Sequence, residues 1–522
     1  MTIALLAAAA PDRTPLFVVC GYMAMLLGLG LLTRRKFSGS SVDYFAAGRS
    51  VGGFLLLMSV FGTTMTAFAL VGSTGKAFDQ GVGVYGLMAS SSGLVHSLVF
   101  FLVGIRLWAV GKRYGYVTQI QYFRDRFQSP LLGWLLFPIL VGLVIPYLLI
   151  GLLGAGVVVK GMSRGMFPEV FEATGGAVPP WLSGLVVCAV VLFYIFFGGI
   201  RGAVWANTFQ TMVFMIMGIV AFVLISNKLG GVEAATQMAL AHVPDHLSRT
   251  GMISKAQFLS YGLVPLSVGM FPHLFQHWLT AKSAKTFHLS VAFHPIFIAL
   301  VWVPCILMGL WAAGLAASDP SFHPPSSNGV LPYMVAKLVQ SPLLSGMLMA
   351  GILAAIMSSL DSQFVCLGTM FTHDVVIHGL GEERYDDRQR VFIARGFIVA
   401  IVTLTYLLTF FPPPHIFDLA VWCFSGFASL FPLVFASLFW RRVTREGALA
   451  SVIAMAASWF WFFYKGLIAR PEGAQGDYLV GGMMPVVAIF GISAAALVIV
   501  SLVTKPMDDR HVARFFRPGD AA

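Results

Sequence analysis

The 522-residue chain is 58% hydrophobic and only 11% charged, with a mean hydropathy of +0.84. This composition excludes an ordinary soluble domain and leaves a protein that crosses the bilayer many times. The net charge of +11 raises nucleic acid as a partner, but the basic residues are spread between apolar runs in a membrane pattern, so no nucleic acid is expected.

A hydrocarbon core about 30 Å thick needs about 20 apolar residues per helix. Thirteen runs satisfy this, at 15–33, 51–75, 83–109, 130–158, 181–199, 205–227, 257–279, 287–315, 342–374, 390–411, 415–438, 446–465 and 479–503. The alternation of a membrane β-barrel is absent, so an all-α polytopic fold is expected. With the N-terminus outside, the inner loops hold 23 of the 33 Lys and Arg, and thirteen crossings place the C-terminus in the cytoplasm. Met1 to Ala10 is apolar but lacks a basic start, and reads as a short outer tail, not a cleaved signal peptide. Cys20, Cys188, Cys305, Cys366 and Cys423 all fall in spans without metal-ligand spacing and read as packing residues.

The second span carries Gly62-Thr63-Thr64-Met65-Thr66-Ala67-Phe68 near its middle. Gly loosens a helix, and Thr offers an oxygen ligand and a competitor for the backbone. A small-residue packing face is the plainer reading of this segment alone. The third span contributes Tyr85, Ser90, Ser91, Ser92 and His96 but no acidic residue. His96 is either a packing imidazole or a group that binds solute or relays protons. The seventh span crowds Gly262, Pro265, Ser267, Gly269 and Pro272 into one stretch, and Pro in a helix interior breaks its hydrogen bonding. His273, His277 and His288 follow and read as interfacial.

The ninth span contains Ala354-Ala355-Ile356-Met357-Ser358-Ser359-Leu360-Asp361-Ser362. Polar groups at that depth are costly unless used. Ala355, Ser358 and Ser359 share one helical face, and their oxygens suit a hard cation. Two interrupted spans, five helices apart, point to an inverted-repeat transporter with its site at the breaks. The division expected is 1–50 for the outer tail, first helix and inner loop, then a 51–438 core of repeats at about 51–227 and 257–438, and 439–522 for two last helices and an inner tail.

Several motifs in order carry a family resemblance. They are Ser41-Val42-Asp43-Tyr44-Phe45-Ala46-Ala47-Gly48-Arg49, Gly198-Gly199-Ile200-Arg201-Gly202-Ala203-Val204-Trp205 through Gln210, and Pro272-His273 with Ala281-Lys282-Ser283. Ser358-Ser359-Leu360-Asp361-Ser362 with Phe371-Thr372-His373-Asp374, and Trp422 to Pro432 with Phe439-Trp440-Arg441-Arg442 and Gly447, complete the set. Over most of spans 1 to 12 the chain resembles the sodium:solute symporter family. The resemblance implies a LeuT-type 5+5 inverted repeat with flanking helices. It also implies sodium-coupled uptake of a small organic solute in a bacterial inner membrane, with no cofactor beyond the coupling ion.

Carried over by residue, the family's common sodium site falls on Gly62 and Met65 through carbonyls, and on Ala355, Ser358 and Ser359. One departure concerns coupling. Where relatives often have Asp two residues after the fifth core helix's Trp, this chain has Asn207, which keeps an oxygen but loses the charge. One sodium per solute is therefore expected, with Asn207 and Asp361 as coupling candidates. Asp361 has a plainer role as a hydrogen bond that pins the ninth span to a neighbour.

The solute pocket is expected between the two breaks and spans 3 and 11. Its candidates are Thr63, Thr64, Thr66, Phe68, Ser91, His96, Tyr261, Ser267, Trp422 and Ser425, with Phe424 beside them. The third span's lack of an acid counts against a cationic solute, and the body of the fourth has no Arg to clamp a carboxylate. A neutral, zwitterionic or monocarboxylate solute stays open. A proton-coupled transporter of the same fold is the nearest alternative. A membrane sensor is another, though the roughly 18 residues after the last span are too few for a kinase. No nucleophile motif or phosphate loop points to an enzyme.

Overall fold

The computed structural model describes residues 12–36, 40–249, 251–411, 415–470 and 477–516, and these are almost entirely helical. Among the described residues, ten helices are long and apolar enough to cross a membrane, or twelve if each of two bent pairs is one span. In chain order the elements used below are α1 (Thr14–Lys36), the bent pair α2 (Gly53–Thr64) and α3 (Phe68–Gln80), and α4 (Gly83–Val99, continued to Tyr114). Next come α5 (Pro130–Met162), α6 (Pro180–Lys228), the bent pair α7 (Lys255–Gly269) and α8 (Pro272–Leu279), and α9 (Phe287–Ser318). Then follow α10 (Pro342–Met370), α11 (Asp387–Leu408), α12 (Ile416–Phe439), α13 (Arg445–Phe463) and α14 (Pro485–Val503).

The fifth and sixth expected spans are the two halves of α6, helices over 180–198 and 200–228 that meet in a kink at Gly199 with φ 52° and ψ −144°. Tyr194 and Asn207, on either side of it, reach the neighbouring residues Asp361 and Ser362. Gly199 is required twice over. Its backbone lies where L side chains are strained, and a Cβ there would sit 2.5 Å from the Tyr44 carbonyl oxygen. The short helix Ser41–Ala46 is fastened to this bend, because Arg201 Nε donates to Asp43 Oδ1 at 2.7 Å and an Arg201 terminal nitrogen donates to Ala47 O at 2.9 Å. Its first residue, Ser41, donates through Oγ (2.8 Å) and N (3.1 Å) to Asp387 at the start of α11.

Both interruptions expected from sequence are real bends, 58° between α2 and α3 and 46° between α7 and α8. At the first, Met65 is extended (φ −90°, ψ 114°), Thr64 Oγ1 donates to Phe61 O at 2.8 Å, and Thr66 Oγ1 accepts from Phe68 N at 3.0 Å. The threonines thus take over backbone positions that the helix gives up. At the second, Pro272 forces Phe271 into an extended conformation. The Met270 carbonyl freed there accepts from Gln119 Nε2 at 3.1 Å.

Helix α10 is the centre of the molecule. Residues 348–370 are buried without interruption, and α10 packs chiefly on α6, with α1, α5 and α11 around it. A helix enclosed on every side has no lipid face, so its serines and Asp361 face protein.

Candidate functional site

Ser358 joins the centre of α10 to the first break. Its Oγ donates to Ala355 O at 2.9 Å within α10 and to Gly62 O at 2.8 Å at the end of α2. Three oxygens from two elements therefore converge on one point. The approach depends on Gly62, where a Cβ would meet Thr211 Oγ1 at 2.3 Å. Thr211 in turn donates to Met58 O at 2.9 Å, holding α2 against α6. Met65 lies at the end of the same break, its N–H bonded to Phe61 O at 3.1 Å. Ser359 Oγ bonds to Ile356 O within its own helix at 3.3 Å.

Beside this point, between the two breaks, lies a small cavity of about 30 Å³. The first break contributes Thr64, Met65 and Phe68, and the second Tyr261, Val264, Pro265, Ser267 and Phe271. Ser92 and His96 of α4, Tyr147 of α5, Trp302 of α9 and Phe424 of α12 close it. Among the described residues, no Asp, Glu, Lys or Arg lines it. The volume is far below the roughly 300–1,000 Å³ range of small-molecule pockets and leaves room for little more than a water molecule. His96 Nδ1 is hydrogen-bonded to Nε2 of the buried His294 at 3.1 Å.

Thr64, Phe68, His96, Tyr261 and Ser267 are thus brought to one cavity, whereas other expected pocket residues are not. Thr63 is fully buried and does not line it, and Thr66 spends its hydroxyl on capping α3. Ser91 is half-buried outside it, and the side chains of Tyr85 and Ser90 lie outside the described residues. Trp422 and Ser425 face a different cavity with Gly466, Arg470, Asp477 and Tyr478, because the segment joining α13 and α14 packs on that side of α12. The interfacial reading of His273 and His277 is corrected too. Both are fully buried, and His277 Nε2 is 2.8 Å from Ser362 Oγ, whereas His288 is exposed. Tyr147, Phe271 and Trp302 went unnoticed in the sequence, since aromatic residues in apolar spans read as packing. The one available signal was that Phe271 precedes the breaking Pro272.

Behind the serines lies a buried polar network. Asp361 accepts from Tyr194 Oη at 3.1 Å and from Ser362 Oγ at 3.1 Å. Asn207 Nδ2 donates to the same Ser362 Oγ at 2.8 Å, while Asn207 Oδ1 has no partner. The two coupling candidates therefore meet through one hydroxyl.

The sodium:solute symporter family pattern matches residues 44–454. The chain belongs to that family. It is 26% identical over 498 residues to the osmoregulated proline transporter OpuE of Bacillus subtilis, covering 93% of each chain. It is also 26% identical over 456 residues to a sodium/proline symporter of Staphylococcus aureus, covering 84% of each. Its fold resembles that of a Na+-coupled sialic acid symporter, with a TM-score of 0.75 at 16% identity over 95% of this chain and 99% of that one. A second likeness is to Mhp1, a nucleobase-cation-symport-1 transporter, with a TM-score of 0.51 at 14% identity over 90% and 97%. The family member described here is an all-α membrane protein of the LeuT type that takes up a solute with sodium.

Proposed function

We propose that the coupling sodium binds where Gly62, Met65, Ala355, Ser358 and Ser359 meet, and that the solute binds between the two breaks, where the adjoining cavity widens as the core opens. The Ser358 to Gly62 contact supports this reading, because it sets oxygen ligands from a rigid buried helix against a broken one. A hard cation favours such an all-oxygen set. Sodium bound there favours one arrangement of the core, solute adds to it, and the core rocks to release both on the other side. The N-terminus faces outside and the C-terminus the cytoplasm, and repeats at about 51–227 and 257–438 move against each other in a bacterial inner membrane. One ion is an adequate drive. A potential of ~100 mV supplies about 2.3 kcal/mol per charge, and a tenfold gradient adds about 1.4 kcal/mol.

Proline heads the solutes to try, since two curated relatives carry it in their names. The test is a solute screen in proteoliposomes with and without an inward sodium gradient. Uptake that needs the gradient is expected, and uptake indifferent to it refutes the reading.

Proton coupling remains as a second reading on one observation. Asp361 is fully buried, and its hydrogen-bond partners are the neutral hydroxyls of Tyr194 and Ser362. A buried carboxylate without a basic partner is tolerated when it binds a proton or a cation.

A further inference from the structure

A basic groove of about 580 Å³ lies along the N-terminal end of α11, where Tyr385, Arg388, Phe392, Ile393 and Arg395 line it. Arg388, Phe392 and Arg395 stand at i, i+4 and i+7, so they share one face of the helix. Phe392 is 74% exposed and sets an apolar ring between two cationic side chains. The protein neutralises neither of them. Among the described residues, neither Arg388 nor Arg395 forms an ion pair, and no Asp or Glu lines the groove. The carboxylates nearest in sequence are committed elsewhere. Asp386 Oδ1 accepts from Gln389 N at 2.8 Å as the helix cap, and Asp387 accepts both bonds from Ser41.

Arg395 is held in place by aromatic rings, its guanidinium 4.6 Å from Phe196 and 5.6 Å from Tyr44, while its buried Nε has no acceptor. A half-buried guanidinium on a membrane-spanning helix is costly unless an anion meets it. The same face continues toward the bilayer centre with the exposed Val399, so the occupant must be anionic at one end and apolar at the other. We propose that the groove binds the headgroup of an anionic phospholipid, with its phosphate against Arg388 and Arg395 and an acyl chain along Phe392 and Val399. Guanidinium donors match phosphate oxygens in pairs, and basic pockets beside membrane helices suit such headgroups. In the orientation proposed above this is the inner leaflet. The lipid would brace a joint of the core, since the Tyr44 beside Arg395 is the residue whose carbonyl faces Gly199 at the kink of α6. The inference is independent of which solute and ion the core carries.

The experiment is thermal melting of the full chain in detergent with added phosphatidylglycerol, phosphatidylcholine of the same acyl chains, or glycerol 3-phosphate. A saturable rise in melting temperature with phosphatidylglycerol alone is expected. Arg388→Gln with Arg395→Gln is expected to raise the half-saturating lipid concentration roughly fivefold or more, since a bidentate guanidinium contact is among the stronger hydrogen-bonded pairs. Lys282→Gln with Lys285→Gln, which removes the same charge from exposed positions after α8, is expected to leave that concentration unchanged. An equal loss in both double variants, or an unchanged response in the folded arginine variant, overturns the inference. So does an equal response to phosphatidylcholine, or a rise with glycerol 3-phosphate as large as with the lipid, which would assign the groove to a soluble phosphate ester. Should loss of Arg395 unfold the protein, Arg388→Gln alone is read in the same way, with a roughly twofold rise expected and no rise overturning the inference.

Discussion

Ser358 of α10 donates its hydroxyl to the carbonyl of Gly62 at the end of α2, at 2.8 Å. The two residues are far apart in sequence, and the bond ties the most buried helix to a broken one. Ser359 has no such reach, because its hydroxyl bonds within α10. In sodium-free detergent solution, Ser358→Ala is therefore expected to lower the melting temperature more than Ser359→Ala. A net hydrogen bond is worth about 1 kcal/mol, so for a chain of this length the difference is about 1 °C, readable by replicate differential scanning fluorimetry.

Gly62 admits no side chain while Thr211 stands opposite. Gly62→Ala places a Cβ 2.3 Å from Thr211 Oγ1, and overpacking of this kind costs about 1–3 kcal/mol. Thr211→Ala removes the obstacle and also the bond to Met58 O. The double variant is expected to recover part of the lost stability and transport. Strict additivity of the two losses, measured as a double-mutant cycle, contradicts the steric account.

Asp361 separates sodium from proton coupling. Asp361→Asn keeps an acceptor and removes the group that can hold a charge. If sodium alone drives uptake, the wild-type rate under a fixed sodium gradient stays flat between external pH 6 and 8, and the variant shows the same flat profile at a lower rate. If a proton is carried, wild-type uptake rises toward acid pH and Asp361→Asn abolishes that rise. Initial-rate assays across that range distinguish the two.

Lys76 fastens four elements at one mouth of the molecule. Its ammonium lies 2.5 Å from Asp477 and 3.4 Å from Asp418, and Gln257 Nε2 donates to the other Asp477 oxygen at 2.5 Å. Asp477→Asn leaves Lys76, only 8% exposed, with Asp418 alone. A bond to a charged group is worth about 1.5–3 kcal/mol, and a loss of about that size is expected in thermal melts. Faster labelling of a cysteine placed at Val421 by an impermeant reagent is expected with it.

The breaks were legible because they rest on local chemistry, threonines and glycine in one span and prolines in the other. The serine face of α10 was legible for a similar reason, since polar residues stand out in an apolar run. The cavity wall was harder to read. Tyr147 and Trp302 look like packing residues until the fold shows that their polar atoms lack partners. Trp422 and Ser425 line a different cavity from Phe424 because the packing that decides their position comes from Gly466 and Tyr478, far along the chain. His277 reads as interfacial from its place at the end of the seventh span, whereas the second break turns α8 inward against Ser362. The two halves of α6 were legible as separate spans, whereas the demand for glycine at their join was not, because it depends on Tyr44.

The central claim is that sodium binds at the junction of Gly62 and Ser358. Sodium binding to the purified protein without solute, followed by calorimetry, tests it most directly. The wild type is expected to bind one sodium ion per chain, and Ser358→Ala with Ser359→Ala to weaken that binding at least tenfold while the fold is retained. Unchanged sodium affinity in the folded double variant contradicts the account.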